Sequence, residues 1–343
     1  MSNPPLALEI DDRPPAGWDD LATVAAADFF ATGLFVTALA EHLPGAQPLF
    51  LALRQGDRLV AGLPAIRRAR RGLGRWHSLP DGTTGGPLVA PDLPSDLAER
   101  AVSLLTAEFR ARLGGREITA TMSLSAESDA CWRPLLARAG WERISIPTSV
   151  IPLDGGLAHV ESQVLPKNRR NERNRGLRRG ARLATTTDPQ AAADFHAIYR
   201  AAAAGWDVEP TPLPLVQRLL RDGAGRVFLC TAHHEGELLG AHLNLQHGRR
   251  VTAWLGATRQ EHARTLFPAT LLVWQGLVEC AARHVDRFDL GGSAGRAQLA
   301  EFKRLLGART EERGLYRRDV AWAAALRRFR SLPTRPAPHP GRP

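Results

Sequence analysis

One pattern occurs twice in this chain, a whole domain apart. Pro48-Leu-Phe-Leu-Ala-Leu-Arg-Gln-Gly-Asp-Arg-Leu-Val-Ala-Gly-Leu-Pro64 reads as a strand, a turn at Gln55-Gly56-Asp57 and a returning strand. Arg226-Val-Phe-Leu-Cys-Thr-Ala-His-His-Glu-Gly-Glu-Leu-Leu-Gly-Ala-His-Leu-Asn244 does the same around Glu235-Gly236-Glu237. The turn glycines lie roughly 180 positions apart, the length of a domain rather than of a solenoid unit, so the pattern points to duplication of a whole domain.

The segments after the two hairpins also correspond. In the first half come a helix over Leu97 to Phe109, a strand at Glu117 to Thr121, a helix ending near Ala139-Gly140 and a strand from Trp141. In the second come an apolar helix from Pro268 to about His284, a strand at Arg287 to Leu290, a helix through Glu301 to Leu306, Gly307, and a strand from Glu311 to Val320. Gly140 and Gly307 stand where helix C-terminal caps need a left-handed residue. The expectation is an α+β chain of two domains, 1–155 and 156–331, each a hairpin-rich, mostly antiparallel sheet flanked by helices. The proline-rich end, 332–343, is expected to be a disordered tail.

The 343 residues, 44% hydrophobic and 23% charged, suffice for two cores. The longest apolar run, Phe29 to Ala40, follows Asp28 and is too short to span a bilayer, and the amino terminus has neither a basic segment nor an apolar core, so a soluble, cytoplasmic protein is expected. Cys131, Cys230 and Cys280 are far apart and read as core residues, not as a disulfide or zinc framework. His233-His234 has no metal-ligand spacing with other His, Asp or Glu, so no metal is expected.

Lys and Arg exceed Asp and Glu by 10, a balance that attracts polyanions: nucleic acid, acidic lipid head groups or a phosphate-rich cofactor. The excess is densest in Leu165-Pro-Lys-Asn-Arg-Arg-Asn-Glu-Arg-Asn-Arg-Gly-Leu-Arg-Arg-Gly-Ala-Arg182, with eight basic residues and one acid, Glu172. As a helix it puts Lys167, Arg170 and Arg178 near one face and Arg169 and Arg173 on another, either to grip a phosphate-bearing ligand or simply to be solvated. There is no GxxxxGK[ST] loop, HExxH or GxSxG, and Gly72 and Gly74 lack a third glycine at the dinucleotide spacing, so a nucleotide hydrolase or zinc protease is not expected.

The order Leu-x-Lys-Asn-x-Arg-Asn, closing at Gly180, resembles the segment that opens the second domain of FemA/FemB-like transferases, which are tandem GNAT-type acyltransferases. Ser78-Leu-Pro-Asp-Gly-Thr-Thr-Gly-Gly-Pro-Leu88 is similar to the family's first-domain loop, and Phe267-Pro-Ala-Thr-Leu-Leu272 to the turn entering its long helix. Phe288-Asp-Leu-Gly-Gly-Ser293 and Glu301-Phe-Lys-Arg-Leu-Leu-Gly307 resemble its strand, glycine loop and Phe-Lys element. The resemblance runs from about Asp28 to Val320.

It implies two GNAT-like domains and transfer of an acyl group from a thioester or aminoacyl ester to an amine. That reaction needs a proton acceptor, donors for the developing oxyanion and a grip on the donor's phosphates, and no covalent nucleophile. In the Arg/Gln-x-x-Gly-x-Gly/Ala turn that binds coenzyme A in GNAT enzymes, Arg264, Ala269 and Thr270 are the matching cofactor-binding positions, but Phe267 replaces the first glycine and Pro268 removes an amide. Lys303, carried over from the Phe-Lys element as a catalytic candidate, neutralises a phosphate or the developing negative charge of the tetrahedral intermediate, or is a solvated helix lysine, and Asp289 is a base, an orienting carboxylate or a turn cap. Lys167, Arg170 and Arg173 are candidate substrate-binding residues of the basic helix, and Trp206, after an alanine-rich helix, with His242 and Asn244 on the returning strand, are candidates for an acceptor pocket, packing or surface roles being the alternative.

Three functions are consistent with this. The first is N-acyl transfer from acyl-coenzyme A, a donor substrate and not a tightly bound cofactor, to an amine of a cell-envelope precursor or small metabolite, with peripheral membrane contact allowed. The second keeps the fold and takes aminoacyl-tRNA as donor. The third is a non-catalytic protein binding nucleic acid or an anionic surface.

Overall fold

A computed structural model describes residues 4–80 and 82–331; the tail expected at 332–343 and Asp81 of the first-domain loop lie outside the described residues. The first half runs β1 (Leu6–Asp11), α1 (Trp18–Val24), α2 (Gly33–His42), β2 (Ala46–Gln55), β3 (Arg58–Arg70), β4 (Leu73–Ser78), the short β5 (Leu88–Val89), α3 (Ser95–Ala111), β6 (Glu117–Leu124), α4 (Ala126–Arg138) and β7 (Glu142–Pro152). The second runs α5 (Gly156–His159), α6 (Lys167–Arg178), β8 (Arg182–Thr186), α7 (Ala191–Gly205), α8 (Leu213–Asp222), β9 (Val227–His234), β10 (Glu237–His247), β11 (Arg250–Thr258), α9 (Pro268–Ala282), β12 (Arg287–Gly292), α10 (Ala297–Arg304), β13 (Arg309–Asp319) and α11 (Ala321–Ser331).

The halves correspond element by element: a strand, two helices, a three-stranded meander, a long helix, a parallel strand, a helix and a last strand. Both hairpins form around the turn glycines, Gly56 at φ 60° and Gly236 at φ 83°, a left-handed conformation that glycine adopts without steric cost. Thr32 caps α2 and Ser125 caps α4, each hydroxyl accepting a backbone N–H of the first turn. Gly140 and Gly307, both at positive φ, close α4 and α10.

The strands form one sheet in the order β1-β2-β3-β4-β6-β13-β7-β12-β11-β10-β9-β8, with β5 beside β3. The last strands are exchanged. β7 of the first half pairs with β12 of the second, and β13 of the second lies antiparallel to both β6 and β7.

Strand alternation sends successive side chains to opposite faces and so to different cores. On one face α3 covers Leu51 and Met122, and α9, with its own Cys280 buried, covers Phe288. On the other, Phe29 and Phe35 of the first half pack in a single cluster with Phe195 and Leu219 of the second. Cys230 and Cys280 are buried, and burial pushes the Cys230 thiol up to about 12; Cys131 departs from the core position expected of it, because it falls on the outer side of α4 and is exposed. No helix among the described residues is long and apolar enough to cross a membrane.

Candidate active site

In the second half the sheet opens between two strands. Strand β11 pairs in parallel with β12 only from Arg250–Thr252 against Arg287–Asp289, and then the two separate. Both are irregular where they part. In β11, Trp254 is an extra residue opposite the Leu243/Asn244 step, and in β12 the register to β7 slips between Asp289 and Gly292. A bulge bends its strand and interrupts the ladder, which makes a wedge at this position.

A cavity of about 820 Å³ occupies the wedge, walled by Trp254 and Gly256 of β11, Leu290 of β12, and Phe302 and Lys303 of α10, with Trp206 at its rim. A second cavity of about 600 Å³ shares Tyr199, Trp254 and Leu290 with the first and continues to Arg68 and Ser123 of the first half. The opening is therefore reached from two sides.

Lys303 is 7% exposed, and its ammonium donates to the carbonyls of Gly291 at 2.9 Å and Gly292 at 2.8 Å. A lysine has three N–H bonds, so one remains uncommitted. Burial, aided by the nearby Arg296 guanidinium, lowers this amine to about 8, so that it carries its charge near neutrality and loses it in mild alkali. His242, directly across the β10–β11 ladder from Gly256, lines the same cavity. Only glycine fits opposite it, since a Cβ at Gly256 would stand 2.5 Å from the imidazole. Burial and the Lys303 charge depress His242 to about 4, leaving a neutral ring whose buried Nδ1 has no hydrogen-bond partner.

Of the residues singled out in the sequence, the structure brings Lys303, His242 and Trp206 into one cavity. Asp289 lines neither cavity. Its buried carboxylate accepts from the Gly291 amide at 2.7 Å, the Thr148 hydroxyl at 3.1 Å and the Arg313 guanidinium, fixing the glycine turn whose carbonyls hold Lys303. Asn244 lies fully buried outside the cavity wall, its Nδ2 donating to the His242 carbonyl.

The basic helix α6 does not line either cavity. Arg173 is buried over the Trp274 ring, 4.1 Å from its centroid, and pairs with Glu161; Arg170 donates to the Glu161 carbonyl; Lys167 is exposed. The cationic grip expected of this helix is thus spent largely within the protein, because α6 packs on α9 through Gly176, where a Cβ would stand 2.5 Å from the Leu266 carbonyl oxygen.

The start of α9, where Arg264, Ala269 and Thr270 were expected to hold a cofactor, is occupied too. Phe267 is left-handed, Pro268 supplies no amide, and Arg264 is exposed. The Thr270 hydroxyl donates to Glu172 at 2.8 Å, and Glu172 also pairs with Arg169. A carboxylate of the chain itself therefore sits at the end of the helix that attracts anions.

Residues that sequence reasoning missed fall into two groups. Trp254, Phe302 and Arg296 complete the cavity; Arg296 lies over the Trp206 ring at 4.9 Å. A buried ion network joins the halves. Burial works to raise the Asp28 carboxyl, but Arg250 and Arg313, with the Thr84 hydroxyl, overcome it and hold it at about 2. Arg250 donates to Asp28 at 2.7 Å and also reaches Glu127, which pairs with Arg287. The charged residue before the Phe29 run was visible as the only signal; its partner 222 positions away was not.

Residues 166–304 match the acetyltransferase (GNAT) domain family. Among solved structures the chain is similar to FemX, with 10% identity, a TM-score of 0.72 and coverage of 94% of this chain and 99% of that one. It is also similar to a tandem GNAT protein from the clavulanic acid biosynthesis pathway (17%, 0.55, 91% and 98%) and to a C-terminal domain assigned to lysylphosphatidylglycerol synthetase of Agrobacterium fabrum (13%, 0.62, 91% and 95%). No curated protein matches the sequence. Residues 166–304 thus form an acetyltransferase (GNAT) domain, and the chain over nearly its whole length has the fold shared by FemX and tandem GNAT proteins.

Proposed function

We propose that the chain transfers an acyl group from an activated ester to an amine of a cell-envelope precursor or small metabolite, with the reaction in the wedge between β11 and β12. The observation that carries this reading is the pairing, in one cavity, of a buried ammonium with an uncommitted N–H and a neutral imidazole with an unpartnered nitrogen. The amine nitrogen attacks the acyl carbon, and its C–O π electrons move onto oxygen. Lys303 donates to that oxyanion, and His242 takes the proton released by the nitrogen. On collapse the carrier's oxygen leaves with the electron pair of the broken ester bond and receives a proton, giving an amide and the free carrier alcohol. Asp289 is a positioning residue, acting through the glycine turn.

Of the two donors, the start of α9 favours aminoacyl-tRNA over acyl-coenzyme A. Pro268 and Glu172 leave that helix end poorly suited to a pyrophosphate, whereas a tRNA backbone is gripped by distributed cations, which the net charge of +10 supplies. The test offers an amine acceptor panel with tRNA charged with labelled amino acids and, in parallel, with labelled acetyl-coenzyme A. Label transfer from the charged tRNA supports the reading; transfer only from acetyl-coenzyme A overturns the donor, and transfer from neither overturns the reaction.

A further inference from the structure

Where β13 ends, the last helix leaves an apolar face uncovered. Helix α11 packs on the sheet through Ala323, which is buried. Trp322 and Leu326, one turn apart on the same side, remain 50% and 46% exposed. Beside them Leu73, at the start of β4, is also exposed, and the four frame a shallow cleft of about 570 Å³ that shares no residue with either cavity of the wedge.

The rim of this cleft is cationic. Arg70, Arg71 and Arg75 are exposed around the β3–β4 turn, and none has a carboxylate partner among the described residues. Arg327 is the exception, held by Asp319.

We infer that this face docks on an anionic phospholipid surface. The combination decides the partner. Three unpaired guanidiniums complement phosphate, whether of nucleic acid or of lipid. Leu73 and Leu326 add aliphatic surface, which a phosphate backbone has no use for but which enters the boundary between head groups and acyl chains, and Trp322 is the ring that settles at that depth. The contact is peripheral, with the helix lying in the interface plane and the arginines at head-group level.

The test uses the full chain and sedimentation with vesicles of equal parts phosphatidylcholine and phosphatidylglycerol, against phosphatidylcholine alone. Binding to the mixed vesicles, absent on phosphatidylcholine, is expected. With each surface arginine contributing about fivefold, the triple variant Arg70→Gln, Arg71→Gln, Arg75→Gln weakens binding about a hundredfold. Trp322→Ser with Leu326→Ser abolishes the blue shift of tryptophan fluorescence on the mixed vesicles. All five side chains are exposed, and an unchanged thermal melt shows that the variants are folded. No vesicle binding, or equal binding to both compositions, overturns the inference. So does a result in which the arginine variant loses bulk tRNA while the Trp322/Leu326 variant still sediments with vesicles, which would make the face a nucleic-acid surface.

Discussion

The same parallel strand pair is built twice in this molecule and put to opposite uses. In the first half, β4 and β6 stay in register from Arg75 to Ser78, after a shift at Gly74, and the loop beyond them folds back between the two: the Gly85 amide donates to the Ser123 carbonyl at 2.7 Å and the Gly86 amide to the Ser78 hydroxyl at 2.9 Å. In the second, β11 and β12 part after three pairs, and the space is open. The first-domain loop approaches its own backbone, while its Gly82 and Thr83 border the second cavity. A Cβ on Gly85 would stand 2.7 Å from the Ser78 carbonyl, so its glycines serve to plug the first wedge. One copy is filled by its own loop and the other borders a cavity.

This contrast is breakable by substitution. Lys303→Met removes the cation from the open wedge; we expect kcat to fall about 10²–10³-fold, the cost of losing one oxyanion donor, with little change in melting temperature. In the unaltered enzyme the ammonium form is lost as pH rises through about 8, so kcat should decline above that pH, and an absent decline would remove Lys303 from the reaction. Gly85→Ala in the closed wedge should do the reverse, lowering stability by about 1–3 kcal/mol through overpacking while kcat holds; a fall in kcat alone would mean the first wedge is not a wall.

The smallest effect tests the ion network between the halves. The Asp28 carboxyl is depressed from 3.8 to about 2, so its contribution is present above the unfolded value and disappears as pH falls towards 2. Roughly 2 kcal/mol of stability should be lost across that window by denaturant unfolding, and Asp28→Asn should flatten it.

Much of the architecture was legible because it is local. Turn glycines, helix caps and alternating strands each announce themselves within a few residues, and their repetition made the duplication readable. Lys303 was singled out through the Phe-Lys element and His242 through its place on a returning strand, and both border the cavity. What stayed hidden depends on distant partners. Nothing near Arg173 indicates that Trp274 and Glu161 will bury it, and nothing near Glu172 indicates that it will reach Thr270. A basic run shows its charge in sequence, but whether that charge faces a ligand or a neighbouring helix is settled by packing. The exchange of β7 and β13 was equally invisible, since both strands look the same whichever sheet edge receives them.

That exchange has a consequence for synthesis. The chain emerges from the ribosome amino terminus first, and β6 does not gain its partner until residues 309–319 have been made. The first half is thus the older part of each molecule and yet among the last to be completed, carrying a bare strand edge through most of translation. Such an edge is a template for pairing with the wrong chain. A stop codon just before Arg309 would therefore harm the half it does not encode, leaving a product whose first half, complete in its own residues, aggregates for want of a strand from the other.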